Sequence, residues 1–149
     1  MKYPRFKYLF FFIVLWSCNA NYSNQVLTKA DTIRIQKLGL LDTNEIIISY
    51  TANYKKEVTG SFFTNKRVAY YWIDERYVDR NIIEFAYFED IKSIDTTILT
   101  SLTQASFLTV TKNDDSKFNV YLTGEKDKIK AFFTQATKKW KKAKQLKKE

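Results

Sequence analysis

Apolar and polar residues alternate along much of the chain between positions 45 and 123, as they do in half-buried β-strands. The alternation is plainest near the end of this stretch, where Phe118, Val120 and Leu122 share one side of a strand. β-branched and aromatic runs separated by short polar turns predict seven strands with antiparallel neighbours. The predicted strands are Glu45–Thr51, Glu57–Thr64, Arg67–Asp74, Asn81–Ala86, Lys92–Leu99, Ala105–Lys112 and Lys117–Thr123.

The third predicted strand departs from simple alternation, because both of its sides are apolar. The two sides consist of Val68, Tyr70 and Trp72 and of Ala69, Tyr71 and Ile73. A strand with two apolar faces is usually buried on both of them. We therefore expect a further element, such as a helix, to cover this strand.

A long amphipathic helix is predicted over Glu125–Lys147, a stretch without Gly or Pro. Its apolar stripe, at helical spacing, is Ile129, Phe132, Phe133, Ala136, Trp140 and Ala143. Thr123 is the expected N-cap residue. Acidic residues at the start and lysines at the end suit both poles of the helix dipole, so we expect a helix packed on the sheets by its stripe.

The region ahead of the strands divides into two parts. Asn19–Ala30 is polar and predicts a flexible linker. Asp31–Leu41 is ambiguous, since Ile33 and Ile35 favour a strand whereas Leu38 and Leu41 fit one side of a short helix. Both alternatives stay open from the sequence.

The first residues have the layout of a secretory signal. Three basic residues, Lys2, Arg5 and Lys7, precede an apolar run from Tyr8 to Trp16 that contains no acidic residue. The run is about half as long as the ~20 residues that a membrane-crossing helix needs. We therefore predict a cleaved signal peptide over residues 1–17.

The residues Leu15-Trp16-Ser17-Cys18 resemble the bacterial lipobox, in which a small residue precedes a cysteine that is lipidated and becomes the new N-terminus. Cys18 is the only cysteine in the chain, so it cannot form an internal disulfide. The resemblance implies lipidation of Cys18 and anchoring to a bacterial cell-envelope membrane, on its periplasmic or outer-membrane face. The alternative is an ordinary signal peptide cleaved near Ala20, with Cys18 discarded.

Positive charge is concentrated at the C-terminus. Of 25 basic residues, three lie in the signal segment and seven in the last twelve residues, which leaves fifteen to balance the fifteen acidic residues between Cys18 and Thr137. The C-terminal lysines are Lys138, Lys139, Lys141, Lys142, Lys144, Lys147 and Lys148. They predict a solvated helix end, a surface for anionic lipid or acidic polysaccharide, or a docking site for an acidic protein. A neutral body argues against nucleic-acid binding.

The sequence does not predict an enzyme. It contains no histidine, the usual base of nucleophilic triads and the commonest metal ligand. Its adjacent acidic pairs lie at predicted turns, and no phosphate-binding, calcium-binding or cysteine-cluster motif occurs. We expect no catalytic residue, no metal site and no cofactor.

Seven strands followed by one helix resemble the order of pleckstrin-homology-like (PH-like) and GRAM-like bacterial domains. Phe63-Thr64-Asn65-Lys66-Arg67, within Gly60–Tyr71, is similar to the turn of the family's second hairpin, and Tyr87–Ile94 to the entry to its fifth strand. Ile129–Trp140 corresponds to the closing helix, and the resemblance spans about Glu45 to Lys142. It implies a mainly β (α+β) fold: a seven-stranded antiparallel barrel or sandwich capped by one long C-terminal α-helix, within a single domain over residues 31–149.

Eukaryotic members of the family hold phosphoinositide headgroups with basic residues at the first strand-to-strand loop. Here that loop offers only Lys55 and Lys56, so phosphoinositide binding is not predicted. Lys66 and Arg67 are further candidates for a ligand loop, although we expect them to serve the turn and its packing.

Three functions are compatible with these patterns. The first is a tethered, non-enzymatic module in which residues 18–30 join the lipid to a PH-like domain that binds an envelope protein or lipid. The second is a lysine-mediated binder of anionic lipid or acidic polysaccharide. The third is a carrier or sensor of a small apolar ligand, similar to lipocalins.

Overall fold

A computed structural model describes residues 26–99 and 104–147 of the chain. The described elements are the helix α1 (Lys29–Lys37), the strands β1 (Ile47–Thr51), β2 (Thr59–Thr64), β3 (Arg67–Trp72), β4 (Ile82–Tyr87), β5 (Ile91–Thr97), β6 (Ser106–Lys112) and β7 (Lys117–Leu122), and the helix α2 (Lys126–Leu146). Two short 3-10 turns, Val78–Arg80 and Phe88–Asp90, flank β4. All seven predicted strands and the predicted C-terminal helix are confirmed.

The strands form two antiparallel sheets, β1-β2-β3-β4 and β5-β6-β7. Within the described residues the sheets meet where β7 contacts β2 and β3. The side chains of Asn53 and Ser61 both donate hydrogen bonds to the backbone carbonyl of Tyr121, at 2.9 and 2.5 Å. These bonds fix one corner of the sandwich.

The main core lies between the two sheets and α2. Phe63 of β2 packs edge-on against Phe132 of α2, with 5.1 Å between ring centroids, and leucine and valine side chains of β6 and β7 complete the layer. Phe132, Phe133 and Ala136 of the predicted stripe are buried. Trp140 is only half-buried, and its indole Nε1 donates a 3.1 Å hydrogen bond to the carbonyl of Ile91. The stripe therefore closes the sandwich as predicted.

The segment that was ambiguous in the sequence is a helix, α1. Thr28 and Asp31 form a capping box, in which each side chain bonds the backbone N–H of the other residue. At the other end Gly39 adopts a left-handed φ of 73°, and Leu40 N–H bonds the carbonyl of Ile35 in a Schellman motif. Since α1 begins at Lys29, helical structure starts inside the predicted flexible linker.

A second core explains the two apolar faces of β3. Val68 and Tyr70 line the main core, whereas Ala69 and Tyr71 face outward from the sandwich. This outward face is covered by Ile35 of α1 and by residues that follow α1. A covering element was predicted for this strand, but the sequence did not show that the segment N-terminal to β1 provides it.

The predicted N-cap of α2, Thr123, is wrong. The helix begins after Glu125, whose side chain makes no capping bond. Gly124, with a φ of 113°, turns the chain between Thr123 and the helix. The backbone N–H and the hydroxyl of Thr123 instead bond Asn53 Oδ1, at 2.9 and 3.2 Å. Thr123 thus secures the corner between the sheets rather than the helix.

Candidate interaction surface

The outer surface of α2 carries exposed lysines over its C-terminal half. Lys138, Lys141 and Lys142 project away from the buried stripe, and Lys139 lies on the flank nearer β1. Within residues 26–99 and 104–147 none of these four has an acidic partner at ion-pair distance. The sequence predicted this cluster, and the fold leaves its charge available to a partner.

The remaining predicted lysines of the tail are placed differently. Lys144 is half-buried and approaches the carbonyl of Glu89 at 3.5 Å, so it helps to hold the end of α2. Lys147 is exposed just after the helix. Lys148 lies outside the described residues. The tail lysines consequently do not form one uniform face.

Grooves run along both sides of α2. Towards β5, a wide groove of about 750 Å³ has Ile98 and Phe133 among its lining residues and Lys130, Lys138 and Lys141 along the helix. Towards β1, a groove of about 300 Å³ is lined by Ile48, Phe63, Gln135, Lys138, Lys139 and Lys142. Both grooves are open to solvent and combine apolar side chains with cationic ones, a composition suited to an amphiphilic, anionic partner.

The four candidate ligand-loop residues do not come together as an anion site. Lys55 is exposed with its Nζ 5.4 Å from the Tyr54 ring centroid, and Lys66 is exposed in the β2–β3 turn. Lys56 makes a 2.8 Å ion pair with Asp31. Arg67 is 1% exposed. Two of the four cations are therefore engaged by carboxylates of the protein itself.

Arg67 is the centre of a buried ionic cluster. Its Nη2 lies 2.6 Å from Asp42 Oδ2 and 2.7 Å from Glu45 Oε2, and its Nε donates to Glu45 Oε1 at 2.9 Å. The guanidinium also lies over the rings of Phe85 and Tyr87, at 4.8 and 4.3 Å from their centroids. Because the guanidinium is buried between these groups, it is not accessible to an external ligand, and its ion pairs with Asp42 and Glu45 fix the connection between α1 and β1.

A second ionic cluster holds the start of α1 to the β1–β2 loop. Asp31 is buried and bonds Lys56 Nζ and Arg34 Nη2, each at 2.8 Å. The hydrogen bond from Lys56, together with those from Thr28 and Arg34, holds the pKa of the Asp31 carboxyl well below its usual range. This ionic cluster was not predicted from the sequence, although the Thr28-x-x-Asp31 capping signature was a signal for the start of α1.

Two buried tyrosines connect this cluster to the sheet. The hydroxyls of Tyr50 and Tyr71 lie 2.8 Å apart, and Tyr71 donates to the carbonyl of Lys56. Burial raises the pKa of both hydroxyls, and for Tyr50 the bond to Tyr71 adds to the increase. Both groups therefore remain neutral donors near physiological pH, and their role is structural.

Cys18, the predicted lipidation site, lies outside the described residues. In the described part of the chain neither helix is long and apolar enough to cross a membrane. That same part contains no group of three or more acidic, cysteine or histidine side chains placed to hold a metal ion.

These elements form a mainly β sandwich of four and three antiparallel strands with a capping C-terminal helix, the arrangement that the resemblance to PH-like domains implied. No family model matches the chain, and no curated protein matches it. Solved structures that are similar to the chain at low sequence identity include two from Shewanella.

One is a DUF1696 family protein with a pleckstrin-homology domain from Shewanella loihica PV-4, at 16% identity and a TM-score of 0.44, over 66% of this chain and 89% of that chain. The other is a pleckstrin homology domain from Shewanella amazonensis SB2B, at 12% identity and a TM-score of 0.49, over 73% of this chain and 86% of that chain.

Proposed function

We propose that the protein is an exported bacterial lipoprotein, held at an envelope membrane through acylated Cys18, whose PH-like domain is a non-enzymatic binding module for an envelope protein or lipid. The domain contributes a folded body that carries Lys138, Lys139, Lys141 and Lys142, which have no acidic partner at ion-pair distance among the described residues, and the lipid contributes residence at the membrane. Two or more acyl chains anchor a protein stably, because each buried methylene adds about 0.8 kcal/mol.

The observation that carries this proposal is the position of the only cysteine. Cys18 lies two residues after a short apolar run that three basic residues precede, and ten residues later Thr28 caps the first helix of the domain. Cleavage of the signal before Cys18 would therefore leave the folded domain intact, with a short polar connection to the lipid.

The test is replacement of Cys18 by alanine in the full chain. We expect the wild-type protein to incorporate labelled palmitate, to fractionate with membranes and to begin at residue 18 with the mass of its acyl chains. Cys18→Ala should abolish the label. Ser17→Ala is the matched control, since it keeps a small residue before the cysteine and should preserve acylation. A mature chain that is unmodified, or that begins after position 18, would contradict the proposal.

A second candidate function is binding to anionic lipid or acidic polysaccharide through the lysines of α2. It is favoured by the absence of acidic partners for Lys138, Lys139, Lys141 and Lys142 among the described residues. The carrier alternative would need an apolar cavity between the sheets, where the described side chains pack against each other.

The second candidate predicts binding that depends on charge. The unacylated Cys18→Ala protein should bind phosphatidylglycerol-containing vesicles, release them as ionic strength rises, and be displaced by an acidic polysaccharide. Equal binding to neutral phosphatidylcholine vesicles would contradict a lysine-mediated mechanism.

A further inference from the structure

Two grooves flank β1, the outer strand of the four-stranded sheet. On the side of α1, a groove of about 420 Å³ is lined by residues that include Val26, Ile46 and Ile47. On the side of α2 lies the groove with Ile48, Lys138, Lys139 and Lys142. Ile47 packs towards the α1 core and Ile48 towards the α2 core, so the grooves lie on the two sides of one strand.

The residues that flank this strand combine exposed aliphatic side chains with lysines that have no acidic partner at ion-pair distance within residues 26–99 and 104–147. Val26 is 85% exposed and Ile46 is 68% exposed. Across β1 from them stand the exposed Lys138, Lys139 and Lys142. Aliphatic tips that enter the headgroup region, beside lysines that meet lipid phosphates, are the composition of interfacial membrane-binding surfaces. We call these five residues the β1 edge.

The proposed tether enters the domain at the same place. Seven residues, 19–25, separate Cys18 from Val26. The carbonyl of Val26 accepts a 3.3 Å hydrogen bond from Lys56 Nζ, which joins this point to the folded domain. The polar composition of these residues predicts a flexible connection, for which seven residues reach about 16 Å, about twice the 8 Å screening length at physiological salt. The lipid therefore keeps this side of the domain close enough to the bilayer for its lysines to act on anionic headgroups.

We propose that the β1 edge is the membrane-facing side of the domain and that its partner is the surface of an anionic phospholipid bilayer. This inference rests on the proposed acylation of Cys18. Lys138, Lys139 and Lys142 contact lipid phosphates, Val26 and Ile46 enter the headgroup layer, and the opposite end of the sheet points into the aqueous compartment. Charge complementarity and the length of the connection to Cys18 select a bilayer over a protein partner.

The experiment places a single fluorescent label in the full-length acylated protein, reconstituted in vesicles of phosphatidylcholine alone or with phosphatidylglycerol. Acylation leaves Cys18 without a free thiol, so Ile46→Cys gives one labelling position on the β1 edge. Asp79→Cys is the matched control, because residue 79 is also exposed but lies at the opposite end of the sheet. Residue 79 is in the β3–β4 connection, whereas the backbone N–H of Ile46 bonds Asn65 in the β2–β3 turn. Neutral acrylamide then measures the exposure of each label.

We expect the label at position 46, and not that at position 79, to lose acrylamide quenching on phosphatidylglycerol-containing vesicles. Changing Lys138, Lys139 and Lys142 to glutamine should restore quenching, since each lysine near an anionic surface contributes roughly fivefold to the partition constant. Changing Lys92, Lys112 and Lys117 of the other sheet to glutamine removes equal charge and should leave the protection intact.

Equal quenching at positions 46 and 79 on an acylated protein would overturn the orientation while leaving the tether standing. Protection at position 46 that survives the first triple change would overturn the role of these lysines. An intact mass without acyl chains would instead overturn the proposed function, and this orientation with it.

Discussion

Replacement of Arg67 by methionine tests whether the buried ionic cluster holds α1 and its connection to β1, here called the N-terminal layer, against the sheet. Methionine has a similar length but no charge, so Arg67→Met leaves the Glu45 carboxylate, whose side chain is 0% exposed, without its cation. Breaking a buried ion pair by removing one partner typically costs about 3–5 kcal/mol. Asp42, which is 52% exposed, should contribute little of this because water screens its charge.

The expected loss is a large fraction of the total stability, since domains of this size unfold with about 5–15 kcal/mol. Urea denaturation of the purified protein, followed by tryptophan fluorescence, measures it. With a denaturant slope of about 1.5 kcal/mol per molar, the midpoint should fall by about 2–3 M. Lys66→Met, one residue away and exposed, is the control and should change the unfolding free energy by less than about 0.5 kcal/mol.

A double variant separates the buried charge from the rest of the cluster. Arg67→Met with Glu45→Gln removes both members of the pair and should recover part of the loss, because no uncompensated charge then remains buried. Hydrogen exchange should show the loss of protection in α1 and its connection to β1 rather than in the β5–β7 sheet. An Arg67→Met variant as stable as the wild type, or a double variant less stable than the single one, would contradict the stabilising role of this ion pair.

Two further predictions concern the packing of the N-terminal layer. In Gly60→Ala the new Cβ would lie 2.4 Å from Cε1 of the buried Tyr71 ring, which the hydrogen bonds of the Tyr71 hydroxyl hold in place. Thermal or urea denaturation should therefore show that the free energy of unfolding falls by about 1–3 kcal/mol. Unchanged stability would mean that Tyr50 and Tyr71 can move apart. Asp31→Asn should cost about 1–3 kcal/mol at neutral pH, because Lys56 loses its carboxylate partner. Since the pKa of Asp31 is lowered in the folded state, its contribution to stability is complete above the ordinary pKa of 3.8 and is lost as the pH falls through the folded value. The difference in unfolding free energy between wild type and Asp31→Asn, measured by urea titration, should therefore shrink below about pH 4. A difference that is constant with pH would contradict the role of this carboxylate.

The candidate surfaces were predictable to different degrees. The lysines of α2 are recognisable in the sequence because their spacing relative to the apolar stripe places most of them on the solvent side of the helix. The ion pairs of Lys56 and Arg67 were not recognisable in the sequence, because each residue pairs with a carboxylate more than twenty residues away. A basic loop in the sequence cannot show whether its charge is already neutralised within the fold.

The sequence alone determined the seven strands, their antiparallel hairpins and the closing helix, because these follow from local periodicity and turn chemistry. It also determined the neutrality of the body, the basic tail and the position of the only cysteine. Tertiary structure decided that the first part of Asp31–Leu41, up to Lys37, is helical where local preference was divided, and that this helix and the residues after it cover the outward face of β3. It also drew Thr123 away from capping α2, because Asn53, distant in sequence, offers it a partner at the sheet corner. Contacts between residues remote along the chain have no signature in local periodicity, and for that reason only the folded arrangement brings the β1 edge together.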